Sequence, residues 1–171
     1  MKFRGVAFRA HDPRWAWSPL SGEGANKYGG RLNRIGQPAR YFSLDLGTAI
    51  CEASQGFAGR FPPLTIVTYD VDVDPIADLC SGAACKHLRV APAALNCSWL
   101  SLATAGLPVP TWDIADGLIA KGFAGVIVRS FSPGALPSSK NLVLWKWSEK
   151  LPHKVAVFDP QDRLKRLPIT K

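Results

Sequence analysis

The sequence has no apolar run approaching the ~18 residues that a membrane-spanning helix requires, and its opening, MKFRGVAFRA, lacks the hydrophobic stretch of a signal peptide. No membrane association is expected, and the cytoplasm is the expected location. The ready-made nucleotide and hydrolase signatures are missing too. There is no GxxxxGK[ST], HExxH, GxSxG or EF-hand loop. GEGANK at Gly22–Lys27 starts like a dinucleotide fingerprint, but it puts Lys27 where the third glycine belongs and follows no strand. The three histidines, His11, His87 and His153, form no catalytic pairing, and RNA-binding signatures are absent. Cys80, Cys85, His87 and Cys97 cluster without any CxxC spacing, so buried thiols are expected rather than a zinc site. No internal repeat or low-complexity segment occurs.

What remains is an ordinary globular composition, 47% hydrophobic and 20% charged in 171 residues, expected to form a single domain over the whole chain. Fourteen prolines and fifteen glycines favour short elements and many turns over a helical bundle. The net charge of +8 favours an anionic partner without naming it. A first strand is expected over Gly5–Ala10, with Val6 and Phe8 on one face and Ala7 and Arg9 on the other. A long Gly-, Pro- and Asn-rich loop should run from His11 to Ala39, and loops of that length in compact domains are usually functional.

Arg40–Ser43 reads as a short strand, and Ser43 as the cap of a helix over Leu44–Phe57, striped by Leu46, Ala49, Ile50, Ala53 and Phe57. Strands are expected at Leu64–Val73, Gly125–Phe131, Asn141–Trp147 and Lys154–Phe158. A helix is expected over Trp112–Lys121, closed by Gly122, and two short helices around Ala91–Thr104. This order lacks the regular βα alternation of a doubly wound sheet and points to a compact α+β domain.

Four features of the first third invite a common explanation: Arg9, the loop ending Tyr28-Gly29-Gly30-Arg31, Tyr41, and Glu52. Glu52 lies about 120° from the centre of its helix's apolar stripe, at 100° per residue, so it can face a cleft or, equally, solvent. Arg31 follows two glycines that permit close backbone approach. It otherwise reads as one more surface cation beside Lys27, Arg34 and Arg40. Tyr41 also fits a core position.

Together these residues resemble the RES domain of bacterial toxins. The matching stretches are FRA at Phe8–Ala10, LSGEGANKYGGRLN at Leu20–Asn33, ARYFS at Ala39–Ser43 and TAICEA at Thr48–Ala53. The likeness weakens afterwards, where VIVRS at Val126–Ser130 occupies the place of the family's VPS. The resemblance implies an ADP-ribosyltransferase-like fold, a split, mostly antiparallel sheet with flanking helices around an NAD cleft. It implies that NAD is degraded or its ADP-ribose transferred, and that an Xre-type antitoxin blocks the cleft. Nucleic acid would be contacted only through that antitoxin.

By the same resemblance, Arg9 and Arg31 are cleft arginines, Tyr41 stacks on nicotinamide, and Glu52 is the catalytic glutamate, with Tyr41 and Arg31 beside it. Tyr28 joins the cofactor-binding set, and the family serine is Ser130, with Ser139 as the competitor. Leu32 stands where a Trp is usual, Arg129 replaces a Pro, and NLVLWKW at Asn141–Trp147 replaces an Asn-rich segment. These departures bear on the acceptor more than on NAD.

The chemistry suits the residue types. Arginine forks match a pyrophosphate. A carboxylate stabilises the oxocarbenium-like ribose left by nicotinamide, and a tyrosine ring stacks on a cationic pyridinium. Nicotinamide leaves as a neutral base, so a site without histidine suffices. The acceptor stays open between water or phosphate and a protein side chain. A basic nucleic-acid-binding or RNase-type protein, with Arg14, Trp15 and Trp17 against bases, is the rival from another class.

Overall fold

The computed structural model describes residues 1–54 and 61–164. Seven strands form one sheet in the order β4-β5-β6-β2-β1-β3-β7. They are β1 (Phe3–His11), β2 (Arg40–Ser43), β3 (Thr65–Val73), β4 (Ile76–Asp78), β5 (Gly125–Arg129), β6 (Lys140–Leu144) and β7 (His153–Val157). All neighbours run antiparallel except β4 and β5. A parallel pair needs a crossover, and this one carries α3 (Gly82–Leu88), α4 (Pro92–Leu95), α5 (Trp99–Thr104) and α6 (Pro110–Ala120). The remaining helices, α1 (Glu23–Tyr28) and α2 (Leu46–Ala53), flank β2 in sequence. Among the described residues, no helix is long and apolar enough to cross a membrane.

The sheet is split. β1 pairs with β3 continuously from Phe3↔Val73 to His11↔Thr65, yet it meets β2 only at Phe8↔Ser43. The two halves therefore diverge between β1 and β2, and a cleft opens there. Alternation along the strands divides the core into two layers. Phe42, Ile127, Leu142 and Leu144 join Tyr69, Val71 and Val73 in one. Val126, Val128 and Val143 meet Ala115 and Leu118 of α6, with Cys85 and Leu95, in the other.

The alternation of β1 divides its faces as expected, and it is the Ala7 and Arg9 face that points inward. Val6 is 46% exposed, whereas Ala7 and His11 are buried. The inner face carries small and polar side chains because Phe42 and Tyr69 from the adjacent strands fill the space above it, ring against ring at 4.9 Å.

Several boundaries also move. α2 starts at Leu46, and its cap is Asp45, whose carboxylate accepts from the Thr48 amide (2.7 Å) and hydroxyl (2.6 Å). A cap of this kind is worth about 1 kcal/mol. Leu46 is exposed, so the apolar stripe is shorter than expected; Phe57 lies outside the described residues. The long loop is not structureless, holding a 3-10 turn at Pro13–Trp15 and then α1. The expected strands end earlier, at Arg129, Leu144 and Val157. β4 and α3 were not expected, whereas α4, α5 and α6 fall where predicted, Gly122 closing α6 with φ +89°.

Candidate functional site

The turn at Gly29–Asn33 is built by side chains from the rest of the domain. Trp112 of α6 donates its indole N–H to the Gly30 carbonyl (2.8 Å), and Trp145 donates to that of Leu32 (2.8 Å). The Tyr41 hydroxyl accepts from the Leu32 amide (2.9 Å) and donates to Asn33 Oδ1 (2.8 Å). A Cβ at Gly30 would stand 2.5 Å from that hydroxyl and 2.7 Å from Asn33 Oδ1, so only glycine permits this approach. Arg34 is bound to Asp116 (2.7 Å) and Asp113 (2.6 Å), which ties the end of the turn to α6. Leu32, where the family has Trp, is buried in the α6-side core layer.

This scaffold frames a cavity of about 340 Å³ whose lining includes Arg9, Gly30, Arg31, Tyr41, Glu52, Trp99, Phe131 and Asn141. A second cavity of about 250 Å³, between β1 and α2, shares Arg9, Tyr41, Glu52 and Asn141 with it. Those four residues, drawn from β1, β2, α2 and β6, stand where the two spaces meet.

Glu52 is held firmly. Its Oε1 accepts from the Ser130 hydroxyl (2.7 Å) and from Asn141 Nδ2 (2.5 Å). Asn141 is itself oriented by Ser43, whose hydroxyl donates to Asn141 Oδ1 (2.9 Å). Ser43 thus serves this relay rather than the helix cap expected of it: buried on β2 and directly across from Asn141, it cannot reach the α2 amides. The geometry also separates the two candidate serines. Ser130 reaches Glu52, while the Ser139 hydroxyl accepts from the Leu136 amide (3.2 Å) in the β5–β6 loop.

The arginines differ in kind. Arg9 is half-buried, and among the described residues no acid pairs with it; burial lowers its pKa. Arg31 Nη1 donates to the carbonyls of Leu95 (3.0 Å) and Cys97 (2.7 Å), and its guanidinium lies 4.7 Å from the Phe131 ring centre. It therefore also fixes the α4–α5 connection that carries Trp99 to the cavity.

Arg40, expected on a basic surface, has 0% of its surface exposed. It is caged by the rings of Phe42 (5.3 Å), Tyr69 (5.7 Å) and Trp147 (5.5 Å), donates to the Pro19 carbonyl, and has no partner for Nε or Nη1 among the described residues. Burial lowers its pKa to about 10. Burial, then the charges of Arg9 and Arg40, push His11 down to about 4, so it is a neutral partner of the Tyr69 hydroxyl (2.8 Å). Burial likewise raises the Tyr41 phenol above its ordinary value, keeping it protonated. The split thus combines one carboxylate with a concentration of positive charge.

Arg9, Arg31, Tyr41, Glu52 and Ser130 are all brought together. Tyr28 is not: it closes α1 with 69% of its surface exposed and does not line the cavity. Of the nucleic-acid candidates, Arg14 is forked onto Asp12 (2.6 Å), and Trp15 and Trp17 are exposed. Asn141 was missed as a site residue. Its signal was faint: an asparagine opening a strand where the family carries an Asn-rich segment.

The family model described as "RES domain" matches residues 6–166. No curated protein matches the chain in sequence. Among solved structures, a chain of the M. tuberculosis MbcT-MbcA toxin-antitoxin complex is similar, with a TM-score of 0.63 and 17% identity, covering 93% of this chain and 84% of that one. At that identity the likeness is one of fold.

Proposed function

The chain belongs to the RES domain family, and on that footing we propose that it cleaves the nicotinamide–ribose bond of NAD and is the toxin of a toxin–antitoxin pair. The observation that carries the reading is the meeting point of the two cavities, lined by an oriented Glu52, by Arg9, which no acid pairs with among the described residues, and by Tyr41. An unpaired, half-buried cation is costly in a free protein and is matched by an anionic ligand. Pyrophosphate supplies that anion, and Arg31 is the second cation for it.

In the proposed reaction the C1′–N1 bond breaks and its electron pair neutralises the pyridinium nitrogen, releasing nicotinamide. The ribosyl cation left behind is stabilised by the Glu52 carboxylate, oriented by Ser130 and Asn141. A water oxygen then bonds to C1′ and loses its proton to solvent, giving ADP-ribose. The Tyr41 hydroxyl is occupied within the Gly30–Asn33 turn, so its contribution is the ring face, stacked on the nicotinamide. The partner in this reading is an Xre-type antitoxin; the similar fold within a toxin–antitoxin complex supports such a partner.

Mass spectrometry of the purified protein incubated with NAD and a cell lysate tests the proposal. Free nicotinamide with ADP-ribose is the expected result. A phosphate ester or a labelled protein would instead identify phosphate or a side chain as acceptor, and intact NAD would refute the reading.

A further inference from the structure

Part of the cavity wall has no role in the reaction above. Arg129 ends β5 and Lys140 opens β6, and the two are cross-strand partners, so their side chains leave the sheet on the same face. Both are exposed, and among the described residues neither forms an ion pair. Like charges placed directly opposite each other repel. Arg129 Nε donates to the Cys80 carbonyl (3.0 Å), which fixes the stem of the side chain. Asp78, an acid close by, accepts from the Cys80 amide (2.8 Å) instead.

Arg129 and Phe131 form the wall between the main cavity and a side cavity of about 220 Å³, whose other walls include Leu79, Pro92 and Leu95. The charges of both Arg129 and Lys140 reach the Cys80 thiol in that side cavity. Arg31 lies between the two spaces, stacked on Phe131 and bonded to the Leu95 carbonyl.

Resting on the NAD reading, we propose that the side cavity takes the adenine end of the dinucleotide and that Arg129 and Lys140 bind a phosphate on its ribose, making NADP the preferred substrate over NAD. With the nicotinamide ribose at Glu52 and the pyrophosphate at Arg31, the adenosine continues over Phe131 into the side cavity. Its apolar walls suit a purine. The adenosine ribose then lies at the dividing wall beside Arg129, with Lys140 across the strand pair, two cations that form no ion pair among the described residues. A ribose hydroxyl leaves their repulsion in place. A phosphate dianion relieves it with charge-assisted hydrogen bonds from both side chains.

Calorimetry with adenosine 5′-monophosphate and adenosine 2′,5′-bisphosphate tests the site without turnover, and nicotinamide release from NAD and NADP tests the preference. The bisphosphate is expected to bind at least about tenfold tighter than the monophosphate, with a kcat/KM ratio favouring NADP to match. Both ratios should fall towards one in Arg129→Gln and partway in Lys140→Gln, exposed positions whose folding circular dichroism can verify. Equal affinity for the two nucleotides, or a discrimination that survives both substitutions, overturns the proposal. NAD cleavage without nucleotide discrimination overturns it while leaving the NAD reading standing. Discrimination without nicotinamide release keeps the phosphate site and refutes the cleavage.

Discussion

Replacing Glu52 with Gln removes the charge of the carboxylate and keeps its shape. The amide keeps an oxygen that can accept from Ser130 Oγ and Asn141 Nδ2, the donors now 2.7 and 2.5 Å from Oε1. Turning two charge-assisted bonds into neutral ones costs about 1 kcal/mol, equivalent to roughly 2–4 °C in melting midpoint for a domain of this size. The effect on the reaction is far larger. A full charge about 4 Å from a ribosyl cation, at an effective dielectric of about 20, is worth about 4 kcal/mol, a thousandfold in rate. The neutral variant should therefore bind NAD within a few-fold of wild type while kcat falls about a thousandfold. Steady-state nicotinamide release measures both quantities, and growth of cells expressing either protein at equal level supplies the physiological readout, with arrest expected from wild type alone. A folded Gln variant with kcat within tenfold of wild type refutes the argument. A raised KM at unchanged kcat would make Glu52 a binding residue.

Arg9→Ala should weaken binding of a non-hydrolysable NAD analogue by about 2 kcal/mol yet leave thermal stability equal or improved, because the cation it removes is half-buried and unpaired among the described residues; calorimetry and thermal melts read the two effects, and unchanged affinity refutes the role. His11 is lowered from 6.5 to about 4 by burial and by Arg9 and Arg40, so its contribution to stability is complete above the unfolded pKa of 6.5 and is lost as pH falls towards 4, where the unfolded chain holds a proton that the native chain does not. The loss is up to about 3 kcal/mol, visible in urea midpoints between pH 7 and pH 4, and His11→Gln should flatten that slope; parallel slopes in both proteins refute the assignment.

The fold was legible wherever a pattern repeats. The alternation in β3 marks a strand with one buried face, the apolar runs of β5 and β6 mark more deeply buried strands, and α6 carries its own stop at Gly122. β4 and α3 escaped because a three-residue edge strand and a seven-residue helix are too short for a period to show. In β1 the sequence separated the Val6 and Phe8 face from the Ala7 and Arg9 face, and alternation alone did not say which points inward. Periodicity assumes that the larger apolar side chains point to the core, whereas here the inner face of Ala7, Arg9 and His11 is roofed by Phe42 and Tyr69 from neighbouring strands.

At the site, the resemblance to the RES domain pointed to Arg9, Arg31, Tyr41, Glu52 and Ser130, and the fold brings these five side chains to one place. The resemblance could not reveal what those side chains lean on. Asn141 lies 89 residues from the carboxylate it orients, and only the register of β2 against β6, Ser43 opposite Asn141, brings it there. Arg40 was misread by the rule that cations belong in solvent. Three aromatic rings and a backbone carbonyl replace solvent around it, and its buried charge acts with that of Arg9 on His11. A charge fixed so deep cannot swing away to a counter-ion, so it maintains a positive field beside the split whether or not a ligand is present. In the proposed reaction that field attracts the anionic dinucleotide, and the choice of the glycosidic bond falls to the oriented carboxylate of Glu52 rather than to the arginines.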